Sequence, residues 1–206
     1  MTDAIVIQAP KVRASQLMLL FHGVGAQPRD LQPLGQRVAL EFPDAYVVSI
    51  PGAHRSDLGS GFQWFSVRGI TEANRPARVA EAMPAFRDAV RRWQKETGVQ
   101  PQDTTLIGFS QGAIMALEST KDEPGLAGRV VGIAGRFATL PDAAPAATTL
   151  HLVHGEADPV MDYRLSVQTA ERLRGLGGNI TVDVLPSVGH EINAQVAETL
   201  LRRLGR

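Results

Sequence analysis

A chain of 206 residues, 44% hydrophobic and 20% charged, can bury a sizeable core and has a globular rather than a disordered composition. Its 21 Lys and Arg balance its 21 Asp and Glu, so no net charge draws it to nucleic acid or to an anionic membrane. The absence of Cys excludes a disulfide framework, a thiolate zinc site and a Cys nucleophile.

The N-terminal MTDAIVIQAPK lacks a basic segment followed by an apolar core, so no signal peptide is expected. With the lack of Cys, this makes the cytoplasm the expected location. QLMLLF (16–21) reads as a short buried strand ended by Gly23 and Gly25, and it is far shorter than the roughly 20 residues of a membrane span. Residues 31–41 read as a helix with Leu31, Leu34, Val38 and the turn from Leu40 to Phe42 on its apolar side. AYVVSI (45–50), β-branched and bounded by prolines, is a strand.

Residues 51–74 show no clear period, and an aperiodic segment of that length in a compact domain is usually functional. Val79, Met83, Phe86, Val90 and Trp93 then recur at helical spacing, with a kink or a new helix start expected at Pro84. TTLIGF (104–109), RVVGIAG (129–135) and TTLHLVHG (148–155) are further strands, and PDAAPAATT (141–149) is a connection. Leu165, Thr169, Leu173 and Leu176 mark a helix stopped by Gly177 and Gly178. ITVDVLP (180–186) is the last strand, and 191–204 the last helix. The pairs Arg91–Arg92 and Arg202–Arg203 are expected on solvated helix faces. Near-continuous apolar strands alternating with helices predict one α/β domain, a mostly parallel sheet with helices on both faces.

Chemistry concentrates at TLIGFSQGAIMAL (105–117), where a strand runs straight into a helix through Gly-Phe-Ser-Gln-Gly. Such a turn projects its side chain from the carboxyl end of the sheet. It also brings strand and helix so close that the residues two before and two after it must be small. Gly108 and Gly112 meet that need around Ser110, the pattern of a nucleophile elbow. The helix that follows aims free N–H groups and its positive dipole end at the same spot. Ser60, also between glycines, lies inside the aperiodic segment and lacks the combination of a strand before it and a helix after it.

A serine needs a base, and the base an orienting acid. In triads on this kind of turn the chain order is Ser, then Asp or Glu, then His. Asp158, just past the strand in HLVHGEADPV, and His190, just past the last strand in SVGHEI, fit that order. Among the rivals, Asp162 suits a helix cap and Glu156 is less well placed to reach a histidine. His151 is expected to be packed inside its strand and His154 to support its loop. His54 is a candidate substrate contact. The loop FHGVGA (21–26) is placed to supply the second oxyanion donor, the Val24 N–H, as partner to that of Gln111, with His22 shaping the loop.

FHGVGA, SIPGAH, QWF, GFSQGA, HGEADPV and VGHEI, in this order and spacing, resemble the small bacterial carboxylesterases. That family also holds acyl-protein thioesterases and lysophospholipases and belongs to the α/β-hydrolase superfamily. The resemblance runs from about residue 15 to the end. It implies a single α/β-hydrolase domain without a large cap, Ser110, Asp158 and His190 as the triad, and Val24 and Gln111 as the oxyanion hole. It also implies Trp64 and Phe65 beside the acyl pocket, the alternative being that they simply anchor the 51–74 segment to the core. The substrate implied is a small ester of short or medium acyl chain, with no cofactor or metal and with a homodimer as a common assembly. The thioesterases usually carry Trp-Phe-Asp where this chain has Trp64-Phe65-Ser66, so their substrate preference does not transfer. The length leaves an open, shallow site covered by the 51–74 segment alone, with Phe62 as a further apolar wall. A thioesterase or lysophospholipase with the same triad is the nearest alternative, and a catalytically silent binding protein the alternative of another class. A dienelactone-type hydrolase would need Cys, and a haloalkane dehalogenase Asp, where Ser110 stands.

Overall fold

The computed structural model describes residues 4–11 and 13–205, so the first three residues of the N-terminal stretch read above lie outside it. Seven strands form one sheet. They are β1 (Ile5–Gln8), β2 (Gln16–Phe21), β3 (Ala45–Ile50), β6 (Thr104–Phe109), β7 (Arg129–Ile133), β8 (Thr149–Gly155) and β9 (Ile180–Leu185). Their order across the sheet is β1-β3-β2-β6-β7-β8-β9, and every pairing is parallel except that of β1 with β3. Between β3 and β6 a two-stranded hairpin, β4 (His54–Arg55) and β5 (Phe62–Gln63), stands apart from the sheet.

Alternate strand side chains serve two cores, which is why these strands read as unbroken apolar runs. Leu17, Leu19, Phe21, Leu106, Val130 and Leu152 pack under α2 (Arg75–Thr97), α3 (Gln111–Asp122) and α4 (Arg164–Gly175). Met18, Leu20, Ile107, Val131 and Val153 pack under α1 (Gln32–Glu41) and α5 (Ala194–Leu204). The expected layers are therefore present.

Several local expectations change. Leu40 is 84% exposed, because it lies some 200° around the helix from buried Val38. Helix α2 continues through Pro84 and no new helix starts there. Pro84 is exposed, so water can reach the carbonyl that its missing N–H leaves free. Helix α5 begins three residues later than read, at Ala194, where the Asn193 side chain accepts from the Val196 N–H at 3.1 Å. Gly177, at φ 79°, ends α4 as expected, and the Gly178 N–H returns to the Leu173 carbonyl at 2.8 Å. Arg203 is not simply solvated. It makes a two-pronged contact with Asp183 of β9 at 2.7 and 2.8 Å. Among the described residues no helix is long and apolar enough to cross a membrane.

Candidate active site

Strand β6 ends at Phe109 and α3 begins at Gln111, so Ser110 alone makes the turn, at φ 52° and ψ −115°. A side chain at positive φ is costly and persists only where its surroundings fix it. The Ser110 N–H donates to the Ile133 carbonyl of neighbouring β7 at 2.9 Å. A methyl on Gly108 would stand 2.5 Å from the Ala113 backbone, so the strand does pass that close to its own helix. Gly112 is small for a different reason than the sequence suggests. Its neighbours are the Phe21 and His22 carbonyls at the end of β2.

Asp158 follows β8 and His190 follows β9, adjacent parallel strands whose carboxyl ends lie side by side. Gly155 lets the two loops meet, because a side chain there would strike the backbone of Val188 and Gly189. The Glu156 and Ala157 N–H groups donate to the Leu185 and Val188 carbonyls at 2.9 and 3.0 Å, which fixes one loop against the other. His190 Nδ1 is consequently 2.7 Å from Asp158 Oδ2, and His190 Nε2 is 2.9 Å from Ser110 Oγ. The Phe109 ring lies against the imidazole, with centroids 5.0 Å apart.

The Asp158 carboxylate is fully buried but well supplied with donors. Its Oδ1 accepts from the Val160 and Met161 N–H groups at 2.8 and 2.9 Å. Burial pushes its pKa up, but the hydrogen bonds from His190, Met161 and Val160 outweigh that and hold it below the ordinary carboxylate value. His154 supports this loop, with Nε2 3.0 Å from the Met161 carbonyl oxygen and 3.3 Å from Asp158 Oδ2. Its Nδ1 is 2.7 Å from Ser166 Oγ, and burial lowers its pKa. Asp162 accepts from the Arg164 N–H at the start of α4, but the N-cap position itself falls on Tyr163, one residue later than read, and Glu156 is exposed. His151 is packed in β8.

Val24 and Gln111 border the same cavity as Ser110, a space of about 540 Å³. Gln111 is the first residue of α3, where N–H groups have no acceptor within the helix. The Val24 turn is held on both sides: the Gly25 N–H donates to Phe62 at 2.9 Å and the Ala26 N–H to Gly23 at 3.3 Å. His22, fully buried, shapes the turn. Its Nδ1–H donates to the Gly23 carbonyl at 2.7 Å and its Nε2 accepts from the Gly52 N–H at 2.9 Å. That pattern is a neutral imidazole, in keeping with a pKa lowered chiefly by burial.

Trp64 and Phe65 part company. Phe65 borders the cavity at Ser110, whereas Trp64 does not. Trp64 is instead packed against Phe21 and Phe86, each at 5.5 Å between centroids, and its indole N–H donates to the His22 carbonyl at 2.9 Å. It anchors the aperiodic segment to the core, the second of the two roles read for it. The Gln111 side chain completes the anchor, accepting from the Trp64 N–H and donating to the Phe65 carbonyl, both at 2.8 Å. Phe62 and His54 border other clefts.

Nor is the site covered by the 51–74 segment alone. Val160, Met161, Leu165 and Ile114 also line the cavity, and Arg75 and Arg136 reach it. Neither Ile114 nor Arg136 is among the site residues read from the sequence; the position of Ile114 one helical turn beyond Ser110 is a signal for it, whereas nothing in the local pattern marks Arg136. Among the described residues no cluster of three or more His, Asp or Glu is arranged to hold a metal ion.

Sheet order, helix layers and the strand–serine–helix turn together define an α/β-hydrolase. The phospholipase/carboxylesterase family model matches residues 2–204, and the chain belongs to that family. It is 51% identical over 202 residues to esterase YpfH of Escherichia coli, covering 98% of this chain and 87% of that protein. To acyl-protein thioesterase 1 of Neurospora crassa it is 24% identical over 200 residues, covering 86% of this chain and 81% of that one. Among solved structures it resembles esterase PE8, with a TM-score of 0.90 and 28% identity over 99% of this chain and 98% of that one. The Bacillus cereus carboxylesterase shares the fold at a TM-score of 0.83 and 20% identity, over 100% and 94% of the two chains.

Proposed function

We propose that residues 1–206 form one serine carboxylesterase domain that cleaves small esters of short or medium acyl chain through an acyl-enzyme on Ser110. The observation that carries this is the unbroken chain from Ser110 Oγ through His190 to Asp158, at 2.9 and 2.7 Å, opening on a cavity bordered by Val24 and Gln111. In this reading His190 Nε2 takes the hydroxyl proton as Ser110 attacks the ester carbonyl. Asp158 keeps the Nδ1–H tautomer facing it and stabilises the imidazolium. The Val24 and Gln111 amides receive the oxyanion, and a donor of this kind is typically worth around 10²–10³ in turnover. His190 then protonates the departing alcohol, and a water molecule repeats the sequence on the acyl-enzyme.

The likeness to an acyl-protein thioesterase supports thioester cleavage as the second reading. The lack of Cys is in keeping with action in the cytoplasm, and a homodimer is the assembly that the family resemblance implies. The test is hydrolysis of p-nitrophenyl esters from acetate to palmitate by wild type and Ser110→Ala. Wild type should cleave the shorter esters, and the variant should lose that activity while melting at the same temperature. Undiminished hydrolysis by a folded Ser110→Ala protein would sink the reading. Turnover of thioesters alone would select the second one.

A further inference from the structure

We propose that the cavity at Ser110 contains an anion subsite, made by Arg75 and Arg136, that selects esters carrying a carboxylate; this rests on the esterase reading above. The rest of the wall is largely apolar, built by Phe65, Ile114, Met161 and Leu165, and would by itself suit a plain hydrocarbon chain. Yet two guanidinium groups border it, Arg75 from the first turn of α2 and Arg136 from the loop after β7. Their side chains are only 17% and 13% exposed, a depth at which arginine is rarely found unless it is paired.

A single carboxylate, Glu72, serves both. Arg136 Nη2 is 2.6 and 2.7 Å from its two oxygens, and Arg75 Nη2 is 2.9 Å from Oε1. Arg75 Nε is buried with no acceptor among the described residues. Two largely sheltered cations against one exposed anion leave an excess of positive charge. The other acid at the cavity, Asp162, is engaged with Arg164, through its N–H at 2.9 Å and its guanidinium at 3.4 Å.

Glu72 itself is 70% exposed, so its carboxylate can turn into water at little desolvation cost and leave the two guanidiniums to another carboxylate. It occupies the position a substrate carboxylate would take. The hydrogen bonds from Arg136, then Arg75, hold its pKa below the ordinary glutamate value, the mark of a site that favours a carboxylate in charged form.

The experiment compares p-nitrophenyl hydrogen glutarate with p-nitrophenyl pentanoate, whose acyl chains match in length, and 4-carboxyphenyl butyrate with phenyl butyrate. The first pair puts the charge on the acyl side and the second on the alcohol side. Each result is the ratio of kcat/KM for the charged ester to that for its neutral partner, followed across variants so that intrinsic reactivity cancels. One of the two ratios should fall about tenfold or more in Arg136→Gln, as expected for loss of a charged hydrogen bond. The same ratio should rise in Glu72→Gln, which frees both guanidiniums. A merely structural clasp would move the Arg136 and Glu72 variants in the same direction. As a measurement on unaltered protein, glutarate should inhibit pentanoate ester hydrolysis more strongly than neutral 1,5-pentanediol. Ratios unchanged in both variants, with glutarate no better than the diol, overturn the subsite and leave the esterase standing. Failure of all four esters to turn over overturns both.

Discussion

A methyl group on Gly112 would run into the Phe21 carbonyl and stand 2.8 Å from the His22 oxygen. Both are main-chain atoms of the strand end that leads into Val24, and neither can turn aside as a side chain would. Gly112 therefore sets how closely the Val24 turn approaches Ser110. Gly108 and Gly155 act similarly, one under the elbow and one between the loops of Asp158 and His190. Gly112→Ala should lower unfolding free energy in urea by roughly 1–3 kcal/mol, the usual cost of overpacking a tight site, and lower kcat by moving the Val24 amide. A variant as stable and as active as wild type would show that the approach is not needed.

At the level of elements, legibility in the sequence followed burial. Strands β2, β3, β6, β7 and β8 are covered on both faces, so their apolar runs were plain and their limits came out within a residue or two. Strand β1 was not recognised. IVIQ is short, half-buried and paired along one edge only, so neither an apolar run nor a clean alternation marks it. Helix α2 was legible from its stripe, whereas the effect of Pro84 depended on which side of the helix met water. The 51–74 segment had no period because side chains from elsewhere fix it: His22 accepts from Gly52, and Gln111 bonds Trp64 and Phe65. For the same reason the sequence left open whether Trp64 lined the pocket or anchored the segment. Ser110, Asp158 and His190 could be picked out because each stands at a strand end, a position that local pattern reveals. Arg75 and Glu72 are neighbours three residues apart, but Arg136 stands 64 positions beyond Glu72 and joins them only through the fold, so no local signal announces the cluster.

For the whole molecule, zero net charge says little about stability, but the buried histidines say more. His22, His151 and His154 are each at most 6% exposed, and burial lowers the pKa of all three, for His151 to about 4 from an ordinary 6.5. Unfolded, these rings take up protons that the folded protein refuses. Stability should therefore fall as pH drops below the unfolded value, through the window from about 6.5 to 4 in the case of His151. The slope for one such group is at most about 1.4 kcal/mol per pH unit. Urea unfolding at pH 7, 6 and 5 should show a declining free energy, and His151→Gln should flatten part of the decline. Equal stability across that range would mean these rings are not held neutral.

In the mechanism we propose, this fold delivers one serine, activated by His190 and Asp158, to an ester carbonyl. The most direct measurement is labelling with diethyl p-nitrophenyl phosphate, followed by peptide mass mapping and a parallel assay of residual esterase activity. A single diethylphosphoryl adduct should form, on Ser110, with activity lost in step with its formation. Full activity with Ser110 quantitatively labelled, or inactivation with the adduct on another residue, would contradict it.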